Sequence, residues 1–460
     1  MQSHLFPNQS RIRFLSEARN LLLLALPLMV SQLAQTGMSF VDTVMAGRHS
    51  EVSLAAVAVA SSLWIPAFLT LTGILMAITP IIAHANGARQ GEKIKHTVQQ
   101  GFWLALFTGV GFMLLVRNLG GIFELLEVEV PVLLQAQGYL EAVSWGIPAL
   151  ALFQVVRSFN EGFHLTRPYM YVSLAALLCN IPLNYIFIYG KLGLPAMGGV
   201  GCGWATTLVI WLQLFLLLAH TLANPTLSRT GWRSHWRPPQ LDLLVEILRL
   251  GLPLGLSIFI EASMFTLIAL FIAKLGATVV AGHQVAMSFA SLTFMIPLSL
   301  SMAITIRCGY SLGSMMPDRA RSVGNIGIAI TLAAAALSSA IMLIFPEAIA
   351  SIYTANPQVK ALAVELLLLA GIFQFSDALQ VSAAGALRGY KDTRFAFGVV
   401  VISFWCLGLP LGYTLGLTNL WGEPNGPQGF WIGLIAGLTL ASLLLGGRFI
   451  HLSRKWINER

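Results

Sequence analysis

Charge is what this sequence has least of. Its 460 residues carry 27 Lys and Arg and 19 Asp and Glu, 10% of the chain, against 56% apolar residues. So few charges cannot cover the surfaces of soluble domains, and the balance describes a polytopic membrane protein. Strand-length alternation is missing, which argues against a β-barrel. Cysteine is scarce as well. Cys179, Cys202, Cys308 and Cys406 lie in or beside apolar segments at no metal-like spacing, and they read as small hydrophobes rather than disulfides or metal ligands. Closely spaced acids of the DDxxD kind are absent too, and with them the usual signature of an intramembrane Mg²⁺-dependent transferase.

What is present is long apolar runs. A helix needs about 20 mostly apolar residues to cross a bilayer, and all its backbone polar groups must pair within the segment. Twelve runs meet that need, from Leu21–Ala46 at one end to Phe430–Leu452 at the other. The reading is an all-α membrane protein of twelve transmembrane helices. It has an N-terminal arm (1–20), a six-helix bundle (21–222), a linker (223–246), a second six-helix bundle (247–452) and a tail (453–460). Little chain remains for a soluble enzyme domain. The first run is too long for a signal-peptide apolar region and no small-residue cleavage site follows it, so it reads as a retained helix.

The net charge of +8 is topological. Basic residues collect on alternate connections: Arg89, Lys93 and Lys95, then Arg157 and Arg167, then the central linker, then Arg307, Arg319 and Arg321, then Arg388, Lys391 and Arg394, with both chain ends. Arg48, Arg117, Lys191, Lys274 and Lys360 are left for the other side, where Glu124, Glu127 and Glu129 also fall. The positive-inside rule then places both termini and the linker in the cytoplasm, in a bacterial inner membrane, and removes the case for nucleic acid.

The chain repeats itself at a shift of about 226 residues. Leu26-Pro27-Leu28 returns as Leu252-Pro253-Leu254, Met76-Ala77-Ile78-Thr79 as Met302-Ala303-Ile304-Thr305, and Lys93 as Arg319. Six helices is an even number, so the halves are parallel copies about an axis along the membrane normal. Transporters built this way hold substrate between the halves.

Against this apolar background the buried acids stand out: Asp42 in the first span, Glu261 in the seventh and Asp377 in the tenth. A charge at mid-membrane costs at least about 2.5–3.5 kcal/mol on insertion scales, so each should face a cavity or a partner. The spans offer no mid-depth Lys or Arg to pair with them. A carboxylate held without a fixed base takes up a proton readily, or binds Na⁺ together with nearby oxygens. Asn180 and Asn184, four apart on one helical face, are candidates to supply those oxygens beside Asp42, with plain helix–helix hydrogen bonding as the other reading. Glu141 and Glu365 lie near span ends and read as interfacial, and His283 carries no assigned role. Phe259, Met264, Phe265 and Phe289 surround the second-half acids. Most of them read as packing, yet a cavity they line would suit flat, hydrophobic cations. Pro27 and Pro253 occupy matching positions and are candidate hinges.

LPLMVSQLAQTGMSFVDTVMAG (26–47), CNIPLNYIFIYG (179–190), GLPLGLSIFIEASMF (251–265), AGHQVA (281–286) and ALRGYKDTR (386–394) together resemble the multidrug and toxic compound extrusion (MATE) family, in its NorM-like bacterial branch. The resemblance covers essentially the whole chain. It implies two pseudo-symmetric bundles in a V and efflux of cationic, lipophilic drugs in exchange for Na⁺ or H⁺; a monomer with no other cofactor is our expectation beside it. It also implies a first-half cation site at Asp42, Asn180 and Asn184 and a second-half acidic pair at Glu261 and Asp377. Either would be the place for Na⁺, and Phe265, Gln284 and Phe289 are drug-contact candidates beside the acidic pair. Asn184 stands where another branch has an aspartate. A flippase for lipid-linked sugars shares the helical plan, but it would be expected to carry a cationic pyrophosphate cavity.

Overall fold

A computed structural model describes residues 7–125, 129–420 and 422–459; the side chains of residues 7–13 and of Leu125 lie outside that description, as do Glu127 and Arg460. Among the described residues every regular element is helical. Eleven helices are long and apolar enough to span a membrane, and a bent pair makes a twelfth. In chain order they are α1 (Pro7–His49), α2 (Glu51–Gly87), α3 (Gly91–Glu124), α4 (the pair Val130–Ser144 and Ile147–Gly162), α5 (Arg167–Tyr189), α6 (Gly199–Ala223), α7 (Leu241–Ala273), α8 (Ala277–Gly313), α9 (Pro317–Ile344), α10 (Pro357–Gly389), α11 (Thr393–Leu417) and α12 (Pro427–Asn458). Helix starts follow local chemistry. Ser50 caps α2 by accepting from Ser53 N, Asn356 caps α10, and proline opens α9, α10 and α12, where its missing N–H costs nothing.

Three features depart from the sequence reading. The segment read as a polar arm is helical from Pro7, so most of it is the start of α1. The α4 span breaks at Trp145–Gly146 with a 43° bend. Carbonyls freed there are taken by α6: Thr207 Oγ1 donates to Ala142 O at 2.7 Å, and Trp211 Nε1 to Trp145 O at 3.2 Å. In α11 the residues Val401–Gly408 widen into a π-helical stretch just before Pro410, whose ring cannot join the regular ladder.

The contacts divide the chain into two compact units, and the cuts fall inside helices rather than in the linker. One unit is Val30–Phe259; the other joins Met1–Met29 to Ile260–Arg460. Both cuts lie shortly after the repeated prolines, Pro27 and Pro253. In the Val30–Phe259 unit, the first half of α7 lies against α2 closely enough that a Cβ on Gly251 would meet Ile74 O at 2.2 Å, so only glycine fits. In the other unit, Leu21, Leu24 and Ala25 of α1 are buried in the apolar core with residues of α8, α10 and α12. There α8 and α10 approach through small residues, with Ser301 Oγ donating to Val381 O at 2.6 Å and Thr305 Oγ1 to Gly385 O at 2.7 Å.

Basic connections gather within the Val30–Phe259 unit. Gln99 Nε2 donates to Trp232 O and Ser234 O, Gln100 Nε2 to Pro238 O and Trp103 Nε1 to Arg237 O, all between 3.0 and 3.1 Å. These bonds fold the linker onto the start of α3, beside Lys93 and Lys95.

Candidate functional site

Asp42 lies in the Val30–Phe259 unit, seven residues before the end of α1, where the helix is still intact. Two amides from α5 converge on one of its oxygens: Asn184 Nδ2 donates to Oδ1 at 2.6 Å and Asn180 Nδ2 at 3.0 Å. Residues four apart on a helix share a face, so the Asn180–Asn184 spacing is what lets both reach a single acceptor. Asn184 Nδ2 also donates to Asn180 Oδ1 at 3.1 Å, which couples the two side chains. The second carboxylate oxygen lies 3.4 Å from Thr206 Oγ1 of α6, whose one hydrogen can turn to it or to Cys202 O. The Cys202 thiol and the buried Tyr139 phenol lie beside the same group. Among the described residues no lysine or arginine pairs with Asp42.

Asp42 is therefore a carboxylate supported by neutral donors only. Asn180 is 1% exposed and Asn184 is fully buried, and Asn184 Oδ1 has no hydrogen-bond partner among the described residues. Rotation of that amide would turn an oxygen toward Asp42. The same side chains then offer a cation the carboxylate, an amide oxygen and a hydroxyl, the hard-oxygen set that Na⁺ prefers, while a proton needs only the carboxylate. Sequence reasoning assembled Asp42, Asn180 and Asn184 but missed Thr206, Cys202 and Tyr139. The Gly-x-x-Cys-x-x-x-Thr run of α6 was the available signal.

In the other unit, Glu261 on α7 and Asp377 on α10 interact electrostatically, and Asp377 is buried. Neither has an ion pair among the described residues. One base does lie in the surroundings of Glu261, without pairing with it. Arg388 stands at the end of α10 rather than at mid-depth, but it is buried and its charge reaches Glu261. Its Nη2 donates to Ser301 Oγ at 2.7 Å, and among the described residues it makes no ion pair. Phe265 and Phe289 are half-buried and pack against this unit's core, so the core takes part of each ring. Gln284 is exposed, with Nε2 3.4 Å from Ser288 Oγ. His283, in contrast, is 5% exposed and its Nδ1 accepts from Trp431 Nε1 at 3.2 Å, a packing contact. Glu141 pairs with Arg117 at 2.6 Å, and Glu365 accepts from Gln428. Among the described residues no group of three His, Cys, Asp or Glu is placed to hold a metal ion.

Comparison with known proteins follows the repeat. The MatE family pattern matches residues 27–186 and again 253–414, two copies whose starts stand at the positions of Pro27 and Pro253. The Multidrug resistance protein NorM of Photobacterium profundum is 47% identical over 442 residues, 96% of each chain. NorM of Aliivibrio fischeri is 46% identical over the same length and shares, and that of Vibrio cholerae 45% over 444 residues, 96% of this chain and 97% of its own. Among solved structures, the eukaryotic MATE transporter AtDTX14 superposes with a TM-score of 0.86 at 22% identity, covering 97% of this chain and 99% of its own, which is likeness of fold. The two matched repeats, and relatives close to half identical along nearly the whole length, make this chain a NorM-like member of the MatE family.

Proposed function

We propose that this protein is a multidrug efflux antiporter of the bacterial inner membrane. It would export cationic lipophilic compounds in exchange for Na⁺ or H⁺ by alternating access, acting as a monomer with both termini in the cytoplasm. The observation that carries the reading is Asp42: a carboxylate inside a membrane helix, bound by two amides, with a hydroxyl beside it and no base paired with it among the described residues. A group built only for structure would be expected to bring its counter-charge, as Glu161 does with Arg157. One that takes up and releases a cation needs that place free. The NorM relatives, named as multidrug resistance proteins, support the same reading.

Glu261 and Asp377 with the half-buried Phe265 and Phe289 form the candidate drug site. Two acids outnumber the single nearby guanidinium of Arg388, which suits a cation and opposes a pyrophosphate. Drug and ion binding are linked, so whatever the ion does to drug affinity the drug does equally to ion affinity. The test is efflux of a fluorescent cation from inverted vesicles with Na⁺ and pH gradients imposed separately. One gradient should drive the dye; dye that responds to neither would refute antiport.

A further inference from the structure

Within the Val30–Phe259 unit, α5 and α6 pack unevenly along their length. At one end they nearly touch: a Cβ on Gly201 of α6 would meet Phe187 O of α5 at 2.5 Å. All three glycines of α6, Gly199, Gly201 and Gly203, lie at that end, and α5 has none. Toward the other end no glycine permits such an approach, and a cleft of about 600 Å³ is lined by both helices. Its size is that of a small-molecule site. The lining follows helical spacing. Pro168, Tyr171, Val172 and Ala175 fall on one side of α5, while Leu216 and His220 stand four apart on α6.

The lining is also ordered by depth. Arg167, the first residue of α5, His220, in the last turn of α6, and Asn224, just past its end, line the cleft at the helix ends. Ala175 is eight residues, about 12 Å, further in along α5. Between those levels the wall is apolar, and Tyr171 is 63% exposed, so the cleft opens sideways to the bilayer. No acid lines it. The Arg167 guanidinium and the His220 imidazole have no hydrogen-bond or ion-pair partner among the described residues. An imidazole keeps an N–H whether neutral or charged, so His220 is a donor in either state. Asn224 Oδ1 accepts from Thr226 N at 3.0 Å, which leaves its Nδ2 to donate.

We infer that this cleft binds one anionic phospholipid, its phosphodiester held by Arg167, His220 and Asn224 and an acyl chain laid along Tyr171, Ala175 and Leu216. A cation at the helix ends above an apolar wall repeats the lipid's own order, phosphate above hydrocarbon. A zwitterionic lipid would bring an ammonium to the same place, and Arg167 opposes it. Arg167 opposes a lipophilic cation for the same reason, so the cleft is not a drug path. The positive-inside pattern puts it in the cytoplasmic leaflet, where basic pockets between membrane helices take anionic headgroups. Its side chains are distinct from those around Asp42, Glu261 and Asp377.

Native mass spectrometry of the lipid-stripped, full-length protein tests this, with phosphatidylglycerol titrated against phosphatidylcholine of the same acyl chains. The first phosphatidylglycerol should bind at least about tenfold more tightly. Arg167→Gln combined with His220→Leu should bring the two lipids within about twofold of each other, while Arg229→Gln, which replaces a base outside the lining, should keep the preference. Ala175→Trp fills the apolar part and should weaken phosphatidylglycerol binding at least about fivefold. Equal binding of the two lipids, or a preference that survives the double variant, overturns the proposal. Glycerol phosphate binding as tightly as the lipid would mark a plain anion site, and displacement of the lipid by tetraphenylphosphonium would mark a drug path; either result also overturns it. Cryo-electron microscopy of the wild-type protein in phosphatidylglycerol nanodiscs needs no variant to fold. It should show a lipid in the cleft with its phosphate within hydrogen-bond distance of Arg167, and an empty cleft refutes the assignment.

Discussion

Arg319, in the first turn of α9, donates Nε to Glu17 Oε1 of α1 at 2.8 Å across 302 residues of sequence. Arg307, near the end of α8, bonds the other oxygen of the same carboxylate. The repeat supplies a counterpart in the other unit, where Lys93, at the position matching Arg319, pairs with Glu246 of α7 at 3.7 Å. The Glu17 side chain is 11% exposed, whereas both ends of the Lys93–Glu246 pair are more than 40% exposed. Glu17→Gln should therefore destabilise by about 3 kcal/mol, because it strands two guanidiniums around a half-desolvated site, while Glu246→Gln should stay within about 0.5 kcal/mol. Thermal melting followed by tryptophan fluorescence compares them, and equal losses would contradict the assignment.

At the Asp42 centre, Asn184→Leu removes both the 2.6 Å donor and the unpartnered amide oxygen. The half-saturating concentration of the coupling ion should rise at least about tenfold, a loss of about 1.4 kcal/mol. Drug affinity measured without an ion gradient should be retained. Asp42→Asn should reduce ion-driven efflux to background in the same vesicles.

A cationic ligand bound at the proposed site would share the field of Glu261 with Arg388. Arg388→Gln removes that internal cation and should tighten equilibrium binding of a monovalent cationic dye by about three- to tenfold, roughly 0.7–1.4 kcal/mol. Dye release should slow correspondingly. Fluorescence titration and stopped-flow release in detergent read both quantities, and weaker binding in the variant would refute the competition.

Arg157 and Glu161 form an ion pair in which each side chain is at most 6% exposed. Arg157→Met alone leaves a buried carboxylate and should cost about 3–5 kcal/mol, but combined with Glu161→Leu most of that loss should be recovered. A double-mutant cycle on melting temperature measures the coupling, and additive losses would mean that the pair is not a unit.

The parts visible in the sequence were those whose physics is local. Apolar length specifies a span wherever the chain goes, so the helices were legible, and the i, i+4 spacing of Asn180 and Asn184 marked a shared face. Asp42, Glu261 and Asp377 could be found because a carboxylate in a long apolar run needs an explanation. Thr206 was hidden because a helical threonine ordinarily satisfies its own chain, and its one hydroxyl hydrogen serves either Cys202 O at 3.0 Å or Asp42 Oδ2 at 3.4 Å. The bend at Trp145–Gly146 was equally hidden, since the side chains that take up its free carbonyls lie more than sixty residues away. Arg388 reads as one more loop-end base, and its burial with a bond to Ser301 belongs to tertiary packing that sequence does not display.

The position of the cuts inside α1 and α7 bears on how the protein is made. Residues 30–259 can settle as soon as α7 has begun to leave the ribosome. Leu21, Leu24 and Ala25 are buried among residues of α8, α10 and α12, so their final packing needs those later helices. A nick in the long connection before α7 would leave two fragments, each missing a half-helix carried by the other.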